Sequence, residues 1–149
     1  MLTETKIVIN KPVKEVWNFF KDPDNLKLWL SGFQKFEHIS GIPGTVGAKA
    51  KHHFIGRGKE LILDGELIEV IQEKRIIGIL DSSMMLNTVT NSFNYLGHDQ
   101  TEVSLSSDTR FKGFLWKQIG PLMKGEFKKR QERDLQTLKL VLENGKENP

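Results

Sequence analysis

The sequence contains no cysteine, which excludes disulfide scaffolds, thiolate metal sites, cysteine nucleophiles and dithiol redox chemistry. It holds only five prolines and a single tyrosine. No apolar run approaches the ~18–20 residues that a membrane span requires. The opening Met1-Leu2-Thr3-Glu4-Thr5-Lys6 lacks a basic start followed by an apolar stretch, so no secretory leader is expected and the expected location is the cytoplasm. A large charge excess is also missing. Lysine and arginine number 22 against 19 aspartates and glutamates, a formal +3, too mild to point to nucleic acid. At 149 residues the chain is expected to form one domain over 1–149, burying roughly two-thirds of its unfolded surface without staples. Glycine is plentiful instead: thirteen residues, eight of them between Gly32 and Gly78.

The chain begins with a partly alternating segment, Thr3 to Asn10, that reads as a short strand. After Asn10-Lys11-Pro12, the residues Val13, Val16, Trp17 and Phe20 recur at helical spacing. Asp22-Pro23 predicts the capped start of a second short helix, with Leu26, Trp29 and Leu30 on one side. From Phe33 to about Thr109 the period is two. Strands are predicted from Phe33, Gly47, Leu61, Arg75, Asn87 and Thr101, with turns at Gly41–Gly44, Gly56–Lys59, Gln72–Lys74 and Gly97–Gln100. Such short connections imply an antiparallel meander. A stripe of Leu115, Ile119, Met123, Phe127, Gln131, Leu135, Leu138 and Leu142 then predicts one long C-terminal helix, kinked or begun at Gly120-Pro121. The tail from Gly145 to Pro149 is polar and expected to fray.

This order is α+β: a curved antiparallel sheet of seven strands, two short helices after the first strand, and one long helix to cover the apolar face. A single helix across a bent sheet does not fill its concavity, so a cavity is expected between them. The runs Ile9-Asn10-Lys11-Pro12-Val13-Lys14-Glu15-Val16-Trp17 and Asp22-Pro23-Asp24-Asn25-Leu26 with Trp29 resemble the opening of the SRPBCC or START-like superfamily. So do Gly44-Thr45-Val46-Gly47, Lys74-Arg75-Ile76, Gln100-Thr101-Glu102-Val103 and Leu135-Gln136-Thr137-Leu138-Lys139, in the same order along the chain. Within it, the chain is similar to the polyketide cyclase/dehydrase and lipid-transport group, including the carbon-monoxide-dehydrogenase G-like proteins. The resemblance implies a helix-grip fold around a tunnel for a small hydrophobic ligand. It implies no particular reaction, since members include carriers, receptors, cyclases and co-chaperones.

Alternation assigns the cavity lining. Ala48, Ala50, His52 and Phe54 share one face, with Lys49, Lys51 and His53 on the other, turned to solvent. Leu63, Gly78 and Leu80 fall on the cavity side of their strands, as do Asn91, Phe93, Val103, Leu105 and Ser107. Trp29 closes one end, and Met123 and Phe127 on the last helix suit the roof of a greasy pocket. Gly78 would enlarge the cavity by lacking a side chain, and Gln131 would be a polar point in its roof.

No catalytic signature is present. His52 alone is a cavity-side acid–base candidate, against the plainer reading of a hydrated strand-end histidine. Asp64 and Glu66 read as solvated, because Leu61, Leu63 and Leu67 take the other face. No histidine pair has metal-ligand spacing, no cofactor is implied, and Gly56-Arg57-Gly58-Lys59 lies in a strand–strand turn instead of before a helix. Tyr95 suits either a cavity mouth or the surface. The cations Lys124, Lys128, Lys129, Arg130 and Arg133 are interleaved with Glu126, Glu132 and Asp134, which reads as a solvated outer face. The expected function is binding of a lipid, isoprenoid or polyketide as carrier or sensor. The alternatives are a cyclase or dehydratase in the same cavity, or a co-chaperone-like interaction module.

Overall fold

The computed structural model describes residues 1–144, so the expected fraying of Gly145 to Pro149 lies outside the described residues. Seven strands form one antiparallel sheet: β1 (Leu2–Ile9), β2 (Phe33–Ser40), β3 (Lys49–Gly56), β4 (Lys59–Ile71), β5 (Arg75–Asp81), β6 (Met85–Gly97) and β7 (Gln100–Phe111). Their spatial order is β1-β7-β6-β5-β4-β3-β2. The strands from β2 to β7 are a meander, and β1 returns to pair with β7. Helix α1 (Val13–Phe20) follows β1. A 3-10 turn over Pro23–Asn25 comes next, capped by Asp22, whose Oδ1 accepts from the Asp24 N–H at 3.0 Å. It leads into α2 (Leu26–Trp29), so the second helix predicted from Asp22 is a single α-helical turn.

The C-terminal helix is not continuous. It comprises α3 (Gly113–Ile119), a 3-10 turn over Gly120–Met123, and α4 (Lys124–Asn144). The break falls at Gly120-Pro121, as the missing proline N–H dictates. A side chain at residue 120 would collide with the Phe111 ring, so glycine lets this turn approach the end of β7. N-terminal to the break the helix leaves the sheet, and α3 has no buried residue. Leu135, Leu138 and Leu142 are in the core, but Leu115 and Ile119, expected on the same buried face, are exposed on α3.

Helix α4 runs along β1 and packs against α2, while α1 packs on β6 and β7. The core gathers there: Ile9, Val103, Leu105 and Phe93 from the sheet against Val16, Trp17, Phe20, Trp29, Leu135, Leu138 and Leu142. Phe93 is held edge-on by Trp17 and Phe20, with ring centroids 5.4 and 5.0 Å away. Polar bonds fix α4 to β1. Gln131 donates to the Thr3 hydroxyl at 2.9 Å and accepts from the Thr5 hydroxyl at 3.2 Å. Gln131 is therefore a clamp between helix and strand instead of the polar cavity point its place in the stripe suggested. Lys128 and Lys139 donate to the Glu4 and Val8 carbonyls, covering an edge strand that would otherwise present unpaired groups.

Candidate functional site

The register defines one inward face across the sheet. From β1 it runs through Thr3, Thr5, Ile7 and Ile9, opposite Ser107, Leu105, Val103 and Thr101 of β7. Val89, Asn91 and Phe93 of β6 stand opposite Ser107, Leu105 and Val103. Next come Ile76, Gly78 and Leu80 of β5, then Leu67 and Gly65 of β4 opposite Gly78 and Leu80. Leu63 faces His52, Leu61 faces Phe54, and Phe36 and Phe33 of β2 complete the rows. Side chains at paired positions project to the same side of a sheet. All the strand residues assigned to the cavity side from alternation lie on this face.

The face divides into two unequal environments. Trp29, Phe93, Val103 and Leu105 belong to the packed core under α1, α2 and α4, and Phe54 is also buried. His52, Leu63, Gly78, Leu80, Ser107, Met123 and Phe127 are half-buried, away from that core. Helix packing concentrates on β1, β2, β6 and β7, with Arg130 of α4 reaching over Phe54 of β3, which leaves the β4–β5 part of the face more open. Gly78 enlarges this open half: a methyl there would meet only the Glu66 carbonyl oxygen, at 3.5 Å. Phe127 lies against Phe111 with ring centroids 6.3 Å apart.

Two buried polar atoms have no hydrogen-bond partner among the described residues: the indole N–H of Trp29 and Oδ1 of Asn91. Asn91 is only 9% exposed. A buried acceptor without a partner is costly, of order 1–3 kcal/mol. By contrast, Asn87 two rungs along is bonded, its Oδ1 accepting from the Thr109 hydroxyl at 3.3 Å. Asn87 also faces inward and was not anticipated. Extending the Val89–Asn91–Phe93 alternation by two residues includes it.

His52 is held between Phe33 and Phe36, whose rings lie edge-on at 6.2 and 5.4 Å. Its ring covers Gly65, where a methyl group would sit 2.9 Å from Cδ2 and Nε2. Burial, and secondarily the neighbouring His53, lowers its pKa to about 4, so the imidazole is neutral near pH 7. No carboxylate bonds to it among the described residues, which leaves it without the orienting partner of a catalytic dyad. His53 is on the opposite face but is not freely solvated. Glu37 and Glu60 hold its two ring nitrogens at 3.1 and 3.4 Å, leaving the side chain 16% exposed.

The remaining candidates fall outside the site. Asp64 and Glu66 are paired with Lys51 and Lys49 on the outer face, at 3.6 and 3.9 Å. Tyr95 is 65% exposed and is a surface aromatic. Among the described residues no group of three or more histidines and carboxylates could hold a metal, and no helix is long and apolar enough to cross a membrane.

A buried polar cluster fixes the corner between α2 and β2. Asp134 of α4 accepts from the Ser31 N–H at 3.1 Å and from the Ser31 hydroxyl. Arg130 donates to the Ser31 carbonyl at 2.6 Å and stacks over Phe54, 5.5 Å from the ring centroid. Burial raises the Asp134 pKa, opposed by the two Ser31 bonds and by Arg130 and Arg133. None of these residues is recognisable from spacing, because the contact joins positions 103 apart in the chain.

No family model matches the chain, and no curated protein matches it in sequence. Solved structures do match in three dimensions. A START superfamily protein from Mycobacterium smegmatis superposes with a TM-score of 0.81 at 12% identity, over 96% of this chain and 97% of that one. The chain has the START-like helix-grip fold. The Zhui aromatase/cyclase from Streptomyces sp. R1128 gives 0.82 at 11% identity, over 97% and 94% of the two chains. A protein from Thermus thermophilus gives 0.79 at 17% identity, over 97% and 99%. In this chain, as in that fold, a seven-stranded antiparallel sheet is combined with a long C-terminal helix.

Proposed function

We propose that this protein is a carrier or sensor for a small, mostly apolar molecule such as a lipid, isoprenoid or polyketide, held on the open half of the inner face. In this reading the chain acts as one START-like ligand-binding domain in the cytoplasm. Its place is in the polyketide cyclase/dehydrase and lipid-transport group, near the carbon-monoxide-dehydrogenase G-like proteins.

The observation that carries the reading is the unpartnered Oδ1 of Asn91, buried on a face otherwise built of Ile76, Val89, Leu105 and Phe93. Gly78 leaves room beside it. A ligand bearing one hydroxyl or amide donor would satisfy that oxygen while its apolar body covers Leu63 and Leu80, at about 25 cal/mol per Å2 buried. Native mass spectrometry of the purified protein, with titration by an environment-sensitive naphthalene dye, tests the proposal. Co-purified mass or saturable dye binding, lost in Gly78→Phe, supports it. A wild-type protein that binds no dye and carries no ligand sinks it.

A second reading is a cyclase or dehydratase, motivated by His52 on the same face and by the aromatase/cyclase among the structural neighbours. It requires turnover of a polyketide that collapses in His52→Ala while the fold is retained. Unchanged turnover removes His52 from any catalytic role.

A further inference from the structure

The segment that leaves the core at the Gly120-Pro121 break carries a surface separate from the inner face of the sheet. Phe114 and Leu122 are 83% and 84% exposed, and Leu115 and Ile119 are exposed with them. Four large apolar side chains on one short segment exceed the scattered single residues that an ordinary surface carries. Alongside lies an open groove of about 560 Å3. Leu86, Phe111 and Pro121 contribute apolar walls to it, and Arg110, Lys117 and Lys124 contribute charge. Its acidic residue, Asp108, faces the Met1 amino group at 3.8 Å. Arg110, Lys117 and Lys124 have no acidic partner among the described residues, unlike Lys112, which is paired with Asp81 at 2.5 Å.

Charge selects the occupant. Between residues 110 and 130 there are seven cations, Arg110, Lys112, Lys117, Lys124, Lys128, Lys129 and Arg130, against Glu126 alone. That segment is +6 while the whole chain is +3, so the rest is −3. Of the interleaved acids that suggested a solvated outer face, Asp134 is buried against Ser31 and pairs with Arg130 at 3.9 Å, which leaves the lysines of this segment unmatched by it. A second copy of the chain docking face to face would bring two such segments together and be repelled. An anionic lipid surface satisfies both features, because exposed aromatic and aliphatic side chains enter the acyl boundary while flanking lysines meet phosphate headgroups.

We propose that α3 and the following 3-10 turn dock this protein on anionic bilayers, with Phe114 and Leu122 inserting and Arg110, Lys117 and Lys124 contacting the headgroups. The docking is independent of what the inner face binds, since none of these five side chains lies on that face.

Cosedimentation with phosphatidylcholine vesicles, with and without phosphatidylserine, tests this. Binding is expected with phosphatidylserine only, and it weakens as salt screens the lysines. Phe114→Ser and Leu122→Ser should each lower the partition coefficient about tenfold, as loss of a buried large apolar side chain implies. Lys117→Glu and Lys124→Glu should each lower it about fivefold or more. Circular dichroism and Tm should stay unchanged, since all four positions are exposed. No binding to anionic vesicles at low salt overturns the proposal, as does binding indifferent to Phe114→Ser and Leu122→Ser. So does a concentration-dependent dimer abolished by Leu122→Ser in a protein that ignores vesicles. Tight binding to a DNA duplex that survives Phe114→Ser and exceeds vesicle binding would reassign the surface to nucleic acid.

Discussion

The His52 imidazole occupies the space in which a side chain at residue 65 would stand. A methyl on Gly65 would lie 2.9 Å from two ring atoms, and Gly65 is itself buried. The two residues belong to neighbouring rungs of the β3–β4 ladder, where Leu63 pairs with His52 and Gly65 with Ala50. The ring is thus directed diagonally across the strand between Phe33 and Phe36, and glycine at 65 is what allows it.

Gly65→Ala should therefore destabilise the fold by about 1–3 kcal/mol, the usual cost of overpacking. Gly78→Ala should be nearly neutral, because its methyl meets only one carbonyl oxygen, at ordinary contact distance. Urea denaturation of the two variants, identical in chemistry and one strand apart, measures the difference. Equal destabilisation would show that His52 moves aside freely.

The pH dependence of stability follows from His52. Its folded pKa, about 4, is below its ordinary 6.5. The folded state therefore binds fewer protons than the unfolded state between those values. Its contribution is fully present above pH 6.5 and is lost as pH falls through about 4, up to roughly 3 kcal/mol in all. His52→Gln should flatten that part of the stability profile. In NMR spectra the His52 Cε1–H resonance should not titrate until below about pH 5, whereas a midpoint near 6.5 would mean that the ring is hydrated.

Asn91→Leu separates stability from binding. Removing an unpartnered buried oxygen should leave the ligand-free protein as stable or more so, by about 1 kcal/mol. The same change should weaken a ligand carrying a hydrogen-bond donor by about tenfold, read by calorimetry against an analogue lacking that donor. Loss of stability with unaltered affinity would assign Asn91 a purely structural role.

Asp134→Ala should cost about 1–3 kcal/mol, since the Ser31 N–H and hydroxyl lose their acceptor. Asp134→Asn retains an acceptor and exposes the pH term. The folded pKa of Asp134 lies above the ordinary 3.8. Its contribution is then complete below that value and is lost as pH rises through the raised one. Wild type should lose stability relative to Asp134→Asn over that interval, a trend that thermal unfolding at stepped pH would detect.

Local pattern determined the strands, their inward faces and the antiparallel meander, because alternation at period two is written into residues such as Leu61, Leu63 and Leu67. It also located the C-terminal break, since proline lacks an amide hydrogen wherever it stands. Tertiary structure decided what the same pattern could not. Leu115 and Leu135 share a helical stripe in the sequence, yet one is exposed and the other fully buried, because α4 packs along β1 whereas α3 buries none of its residues. Gln131 lies in that stripe as well, and only the approach of β1 makes Thr3 and Thr5 its partners. His52 and Asn91 were legible as inward-facing, but a partner, or its absence, is a property of what arrives from distant segments. Burial and pairing are set by that assembly, and so the neutrality of His52 and the vacant acceptor of Asn91 were decided there.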